Sequence, residues 1–142
     1  MMLTQDAEIA TLLRETRTIA LVGASDRADR PSHRVMRSLQ AHGYRVIPVN
    51  PQLAGTEING MPVVAALADI AGAIDLVDVF RNSAAAGPVV DAAIAVGAKA
   101  VWLQLGVINP EAAARAEAAG LQVVMDRCPA IDIPRLRIAP VA

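Results

Sequence analysis

The sequence predicts an α/β protein: a Rossmann-like, doubly wound sheet of five parallel strands in a single domain. Apolar runs of about five to seven residues, rich in strand-forming side chains, alternate along the chain with alanine-rich stretches typical of helices. These runs are almost continuously apolar, as strands are when helices cover both faces of a parallel sheet. A length of 142 residues is that of one ordinary domain.

The predicted strands follow from these apolar runs. They cover residues 18–24, 44–50, 75–80, 100–104 and 121–126. Residues 1–17 are expected to form an amphipathic helix that packs on this domain, which spans residues 1–142. Residues 52–70 are the least regular crossover, and we predict turns around a short extended piece at 55–62, then a brief helix at 64–67.

The crossover helices are predicted from their end signals. Three helices are each followed by a glycine suited to a left-handed end: 31–42 with Gly43, 83–96 with Gly97, and a helix that starts at Asn109-Pro110-Glu111 with Gly120. Proline at the first helical position, as at Pro31, has no amide hydrogen to leave unpaired. In the last helix, an asparagine cap and an acid in the first turn add to this signal.

Composition excludes several classes of partner. Thirteen basic and fourteen acidic side chains leave a net charge of −1, so no overall field favours nucleic acid or an anionic membrane. The single Trp, Tyr and Phe offer no platform for stacking bases. No uninterrupted apolar segment approaches the roughly 18 residues of a membrane span, and we interpret the first residues as an amphipathic helix rather than an export signal. A single cysteine, Cys128, permits no internal disulfide, so the cytoplasm is the expected compartment.

Candidate binding residues lie at the carboxyl ends of the strands. In an open parallel sheet, ligands bind outside these ends, where the strand order reverses. Four strand ends supply candidates: Gly23, Ala24, Ser25 and Asp26 with the following Arg30, Pro31 and Ser32; then Pro48, Val49, Asn50 and Pro51; then Phe80, Arg81 and Asn82; and Gln104.

The first of these loops is suited to an anion. Backbone N–H groups at the start of helix 31–42 have no partner within the helix, and the helix dipole adds positive charge there. Arg27, Arg30, His33 and Arg34 add donors within eight residues, and Arg81 approaches from the third strand. The alternative for these arginines is simple solvation, which we favour for Arg27 but not for Arg30.

Residue 50 argues against an ordinary nicotinamide dinucleotide. Such a domain normally ends its second strand in Asp or Glu, which accepts hydrogen bonds from the ribose hydroxyls, whereas this chain has neutral Asn50 followed by Pro51. A neutral residue tolerates a phosphate on the ribose. The phosphorylated nicotinamide dinucleotide and coenzyme A (CoA) both remain candidates, and Asn-Pro as a plain strand terminator is the structural alternative.

No catalytic or metal-binding motif accompanies these strand ends. His33 and His42 lack the acid and serine of a catalytic triad, and the paired cysteines of a structural zinc site are absent. His42 is expected at the surface, while donation by His33 to an anion stays an alternative. Asp75 and Asp78 bracket the third strand, where we expect structural roles, Asp78 as a cap or as the partner of an arginine.

A set of motifs resembles the small bacterial and archaeal CoA-binding proteins, and also the N-terminal domain of the succinyl-CoA synthetase alpha subunit. The motifs are Gly23-Ala24-Ser25, Arg30-Pro31-Ser32, Gly43 to Pro51, Val77 to Arg81, Val101 to Gly106 and Asp126-Arg127-Cys128. They extend over nearly the whole chain, from about Thr18 to Leu136. Each motif alone is weak, but the ordered set is specific.

The resemblance implies that the crevice holds CoA or an acyl-CoA. By position, Gly23 to Asp26 match the turn that approaches the phosphates, and Arg30 with Ser32 matches the helix start. Pro48 to Pro51 match the segment beside the adenosine, and Phe80 to Asn82 match the third wall.

The expected function is therefore non-enzymatic binding of CoA. In the synthetase the phosphorylated histidine lies in a second domain, which we do not expect in this chain, so its chemistry is not carried over. The alternative is an NADP-dependent oxidoreductase or redox-sensing dinucleotide-binding domain. Assembly with an acyl-CoA enzyme, or into a homo-oligomer, stays open.

Cys128 follows the last strand at the same sheet edge. Its neighbour Arg127 carries a positive charge that favours a thiolate. A mixed disulfide with the CoA thiol is one interpretation, and a buried, unreactive cysteine is the other.

Overall fold

Seven strands and five helices make up the protein in a computed structural model that describes residues 1–141. The strands are β1 Thr18–Val22, β2 Arg45–Val49, β3 Glu57–Ile58, β4 Met61–Pro62, β5 Leu76–Val79, β6 Ala100–Leu103 and β7 Gln122–Met125. The helices are α1 Asp6–Glu15, α2 Pro31–Ala41, α3 Ser83–Ala95, α4 Pro110–Ala118 and α5 Pro129–Arg135, with one 3-10 turn at Leu67–Asp69.

Five parallel strands form the main sheet in the order β2-β1-β5-β6-β7. The predicted five-stranded α/β fold is therefore confirmed, although each observed strand is one or two residues shorter than its prediction. The strand ends turn away from extended geometry, as at Gly23 with φ +91° and Asp126 with φ +60°. The strand order reverses between β1 and β5, so a crevice is expected where these two strands end.

Both faces of the sheet are buried, which explains the continuously apolar strands. On one face, α1, α2 and α5 cover a core that includes Leu21, Leu39 and Trp102. On the other, the alanine-rich helices α3 and α4 pack on Val77 and Val101. In β5 and β6 every residue is buried. None of the helices in residues 1–141 has the length and apolar character needed to cross a membrane.

The 52–70 crossover differs in part from its prediction. The extended piece is the two-stranded hairpin of β3 and β4, whose turn places Asn59 and Gly60 at positive φ. The predicted helix at 64–67 is wrong. Val64 instead pairs in parallel with Val49 beside β2, and the helical turn comes later, at Leu67–Asp69. A β-branched valine suits this edge pairing better than a short helix.

Helix α5 was not predicted from the sequence. It contains two prolines, Pro129 at its first position and Pro134 within its last turn, and residues of this type usually mark loops. Its Ile133 is buried in the core beneath α1 and α2, and Arg135 forms an ion pair with Asp6 of α1 at 3.0 Å. Packing against two other helices compensates for a weak local signal.

Asp75, directly before β5, and Asp78, within β5, have very different surroundings. Asp75 accepts hydrogen bonds from the backbone N–H groups of Arg17 and Thr18, both at 3.0 Å, and pairs with Lys99. Its structural role is as expected. Asp78 is fully buried, and neither carboxyl oxygen has a hydrogen-bond partner within residues 1–141. The expected cap or arginine pairing of Asp78 is therefore wrong, and burial raises its pKa well above the ordinary value of 3.8.

Replacement of Asp78 by asparagine tests this burial. Because the folded-state pKa is raised, the native protein holds a proton that the unfolded chain releases above pH 3.8. Wild-type stability should therefore fall, relative to Asp78→Asn, as pH rises from 3.8 toward the folded-state pKa. The free energy of unfolding in urea, measured for both proteins from acid to neutral pH, checks this. Parallel pH curves would contradict it.

The end of α2 provides a second test. A Cβ added at Gly43 would lie 1.6 Å from the carbonyl oxygen of Val141, whereas one at Gly97, at the end of α3, meets no atom within 4 Å. Both glycines have positive φ. Gly97→Ala should cost about 1–2 kcal/mol of backbone strain, and Gly43→Ala about 1–3 kcal/mol more because of the clash. Equal losses in urea denaturation would show that the C-terminal segment does not lie over α2.

Candidate functional site

The candidate site lies where β1 and β5 end side by side. Gly23 directly follows β1, and a Cβ at this position would lie 2.2 Å from the carbonyl oxygen of Phe80. Only glycine allows the loop to pass this close to the end of β5. The amides of Gly23 and Ala24 both donate to the carbonyl of Val49, at 3.1 and 3.3 Å. The first loop is thus held against the ends of both neighbouring strands.

Asn50 joins the loops that follow β1 and β2. Its side-chain Nδ2 donates to the carbonyl of Ala24 at 2.8 Å, and its Oδ1 accepts from the amide of Gln52 at 2.9 Å. An aspartate would have no hydrogen to donate to Ala24. The neutral residue at position 50 therefore has a structural role, in addition to the tolerance of a ribose phosphate that we infer from the sequence.

A cavity above these loops, which we name the loop cavity, has a volume of about 420 Å³. It is lined by Gly23, Ala24, Ser25, Asp26, Arg27, Arg30, Pro31, Ser32, Asn50, Gln52, Leu53 and Phe80. A second cavity of about 310 Å³, which we name the β2 cavity, shares part of its wall with the loop cavity. The residues that line the β2 cavity but not the loop cavity are Val22, Val49, Pro51 and Arg81. Such volumes are within the usual range for small-molecule sites.

Most of the predicted site residues therefore meet at these two cavities, but three of them, Pro48, Asn82 and Gln104, do not line either one. Pro48 is buried inside β2, where its carbonyl accepts from the amide of Val64. Asn82 caps α3 by accepting from the amide of Ala85 at 2.8 Å. Gln104 lies in the wall of a third, neighbouring cavity.

The arginines around the crevice, three in the first loop region and Arg81 after β5, fall into two groups. Arg27 pairs with Asp29 at 3.6 Å, and Arg34 donates to the backbone carbonyl of Asp29 at 2.8 Å, so both have partners inside the protein. Arg30 and Arg81 are exposed, and within residues 1–141 neither forms an ion pair. These two guanidinium groups can bind an anion without first breaking an internal contact.

Helix α2 begins at the wall of the loop cavity. Arg30 is its N-cap residue, and Pro31 and Ser32 are its first helical residues. The positive end of the helix dipole therefore adds to the charge of Arg30 at this wall. Ser25 stabilises the preceding turn by accepting a hydrogen bond from the amide of Arg27 at 3.1 Å.

The two histidines do not contribute to this site. His33 is buried on the core side of α2 and lines neither cavity, which disfavours direct donation to an anion there. His42 is half-buried and stacks on Tyr44 with ring centroids 6.0 Å apart, so its expected position at the surface is only partly correct. No three His, Cys, Asp or Glu side chains among the described residues are arranged to hold a metal ion.

A third cavity, which we name the apolar cavity, was missed from the sequence. It has a volume of about 560 Å³ and is lined by Pro31, Arg34, Val35, Phe80, Arg81, Gln104, Leu105, Val107, Cys128 and Ile131. Part of its wall comes from α5, the helix that the sequence pattern did not predict. The only sequence signal was that Gln104 and Cys128 both follow strands at the same sheet edge.

Comparisons with known proteins agree with this architecture. A family model described as the CoA binding domain matches residues 17–134. The uncharacterized protein YneT of Bacillus subtilis (strain 168) is 41% identical over 122 residues, which cover 86% of this chain and 89% of YneT. A solved Thermus thermophilus protein, cell-free ID.343, is 39% identical with a TM-score of 0.89, over 94% of this chain and 99% of its own.

A more distant likeness concerns the fold alone. The dinucleotide-forming acetyl-coenzyme A synthetase 1 of Ca. Korarchaeum cryptofilum, solved with phosphate and ADP, has a TM-score of 0.70 and 22% identity. The match covers 80% of this chain and 26% of that larger one.

The link between the first two loops can be tested by Asn50→Asp. The substitution removes the donor to Ala24 and sets a carboxylate oxygen against its carbonyl, so we expect a loss of about 1–3 kcal/mol in the free energy of unfolding. Asn59→Asp, at an exposed turn between β3 and β4, is the matched control. Urea denaturation at neutral pH compares the two, and equal small effects would contradict the structural role of Asn50.

Proposed function

The chain belongs to the CoA-binding domain family, and on this basis we propose that it binds CoA or an acyl-CoA, without catalysing a reaction, at the carboxyl edge of its sheet. The observation that carries the proposal is the family match over residues 17–134, which contain every candidate binding residue. The single cysteine suits a reducing compartment, and we place this binding in the cytoplasm.

The charge distribution of the site suits the anionic end of CoA. This end carries a pyrophosphate and a ribose phosphate, and charge-assisted hydrogen bonds from arginine are the strongest contacts a protein offers to such groups. Arg30, at the start of α2, and Arg81, after β5, lie on different walls of the adjoining cavities. We assign both to phosphate binding, Arg30 together with the first-turn amides of α2.

The remaining predicted residues take supporting roles in this proposal. Gly23, Ala24, Ser25 and Asp26 form the turn that approaches the phosphates, with Pro31 and Ser32 at the helix start. Val49, Asn50 and Pro51 border the adenosine, and Pro48 holds this segment in place through its pairing with Val64. Phe80 forms the third wall, and Asn82 supports it by capping α3. Gln104, directly after β6, contacts the ligand. Asn50 is neutral and already hydrogen-bonded, so it tolerates a nearby phosphate where an acid would repel it.

Removal of each arginine tests the phosphate contacts. Arg30→Ala and Arg81→Ala should each weaken CoA binding roughly tenfold or more, because a charge-assisted hydrogen bond is lost. Arg37→Ala, on the exposed side of α2 and outside all three cavities, is the control and should bind as the wild type does. Isothermal titration calorimetry with CoA gives the affinities.

Two further titrations sharpen this experiment. The loss caused by the arginine variants should shrink as salt rises, because salt screens exposed charges. Dephospho-CoA, which lacks the ribose phosphate, should bind the wild type more weakly than CoA does. One of the two arginine substitutions should weaken its binding less than it weakens the binding of CoA, and that arginine faces the ribose phosphate. A wild-type protein that binds NADPH but not CoA would refute the proposal.

A further inference from the structure

The apolar cavity adjoins the loop cavity at two residues. Pro31 and Phe80 belong to the walls of both, and Phe80 with Arg81 also connects the apolar cavity to the β2 cavity. The two cavities are therefore neighbours, and a ligand whose phosphates lie at Arg30 would pass Phe80 to reach the apolar cavity. Its volume of about 560 Å³ has room for a long, largely neutral arm.

Gln104 is an unpartnered polar group in the wall of this cavity. Its side chain is only 7% exposed, and its Oε1 has no hydrogen-bond partner within residues 1–141. Buried amide oxygens are nearly always hydrogen-bonded, so an unpartnered one in a residue of the cavity wall is a candidate acceptor for a ligand N–H group. The arm of CoA contains amide N–H groups of the kind that would pair with this oxygen.

Cys128 lies in the same wall and also borders a smaller cavity of about 250 Å³. Neighbouring contacts hold its backbone in place. The carbonyl of Arg127 accepts from the indole Nε1 of Trp102 at 2.8 Å, and the Arg127 guanidinium pairs with buried Asp132 at 2.8 Å. The guanidinium charge is therefore neutralised by a carboxylate. Cys128 is buried, as one of its two interpretations expected, with 6% of its surface exposed, and what favours reactivity is its place in the walls of two cavities.

From this arrangement we infer that Cys128 is a site of thiol–disulfide exchange with disulfides of the CoA class, the thiol end of the bound carrier lying in the apolar cavity. The inference rests on the proposed CoA binding. The Cys128 thiol loses its proton, and its sulfur attacks one sulfur of CoA disulfide. The S–S bond breaks, a new bond joins Sγ to one CoA, and the other CoA leaves as a thiolate that takes up the proton.

This exchange needs no oxidant other than the disulfide itself. Its product is a protein that carries CoA covalently, with the phosphates at the loop cavity and the sulfur at Cys128. Binding of the nucleotide end raises the local concentration of the disulfide at the thiol, so the reaction is selective for CoA disulfide over small disulfides without a nucleotide.

Intact-protein mass spectrometry after incubation with CoA disulfide tests the inference. The wild type should gain the mass of one CoA less two hydrogens, and dithiothreitol should remove it. Peptide mapping should place the added mass on Cys128. Cys128→Ser and Cys128→Ala should gain none, while calorimetry shows that the better folded of the two still binds CoA.

A comparison of rates separates recognition from mere thiol reactivity. With CoA disulfide, the wild type should react roughly tenfold faster or more than with glutathione disulfide at equal concentration. Arg30→Ala should slow only the reaction with CoA disulfide, and Arg37→Ala should slow neither. Gln104→Leu should likewise slow only the CoA reaction, because it removes the proposed acceptor for the arm.

The outcomes distinguish the two proposals. Tight CoA binding without an adduct at Cys128 overturns the exchange and leaves the proposed function standing. An adduct that forms equally fast with both disulfides overturns the selective site. Failure to bind CoA in calorimetry, with no adduct, overturns both.

Discussion

The close passage of the first loop over the end of β5 is the constraint on which the site depends. Because Gly23 has no side chain, its backbone can lie against the carbonyl of Phe80 while it also donates to Val49. This contact brings the ends of β2, β1 and β5 together. It also fixes where α2 starts, and so where its positive end lies. Phe80 becomes the shared wall of all three cavities as a consequence.

The two faces of the sheet have different roles. The α3 and α4 face is packed mainly with alanine and valine. Along β5, Asp78 alternates with Val77 and Val79, which pack on the α3 and α4 face. Asp78 therefore belongs to the opposite face, which α2 and α5 cover. An unpaired buried carboxyl costs stability. In the proposed function, CoA binds on this polar side of the sheet, which also carries the apolar cavity.

Much of the fold followed from local signals. Continuous apolar runs indicated the five parallel strands, and Gly43, Gly97 and Gly120 end their helices with positive φ as predicted. The family resemblance, seen first in ordered motifs, is confirmed by the match over residues 17–134. Where local signals were weak the prediction was incomplete. Helix α5 contains two prolines and is stabilised by packing on α1 and α2, and Val64 pairs with a strand distant in sequence.

The sequence by itself determined the order of the five main strands, the strand ends that carry polar residues and the family, because periodicity, end signals and motif order are properties of neighbouring residues. Only the tertiary structure decided that Arg27 pairs with Asp29 while Arg30 and Arg81 have no carboxylate partner in the described part of the chain. It also decided that Asn50 joins two loops. It alone revealed the apolar cavity and showed that Asp78 has no hydrogen-bond partner among residues 1–141. These features depend on contacts between segments far apart in the chain, and no local pattern records which side chains will meet.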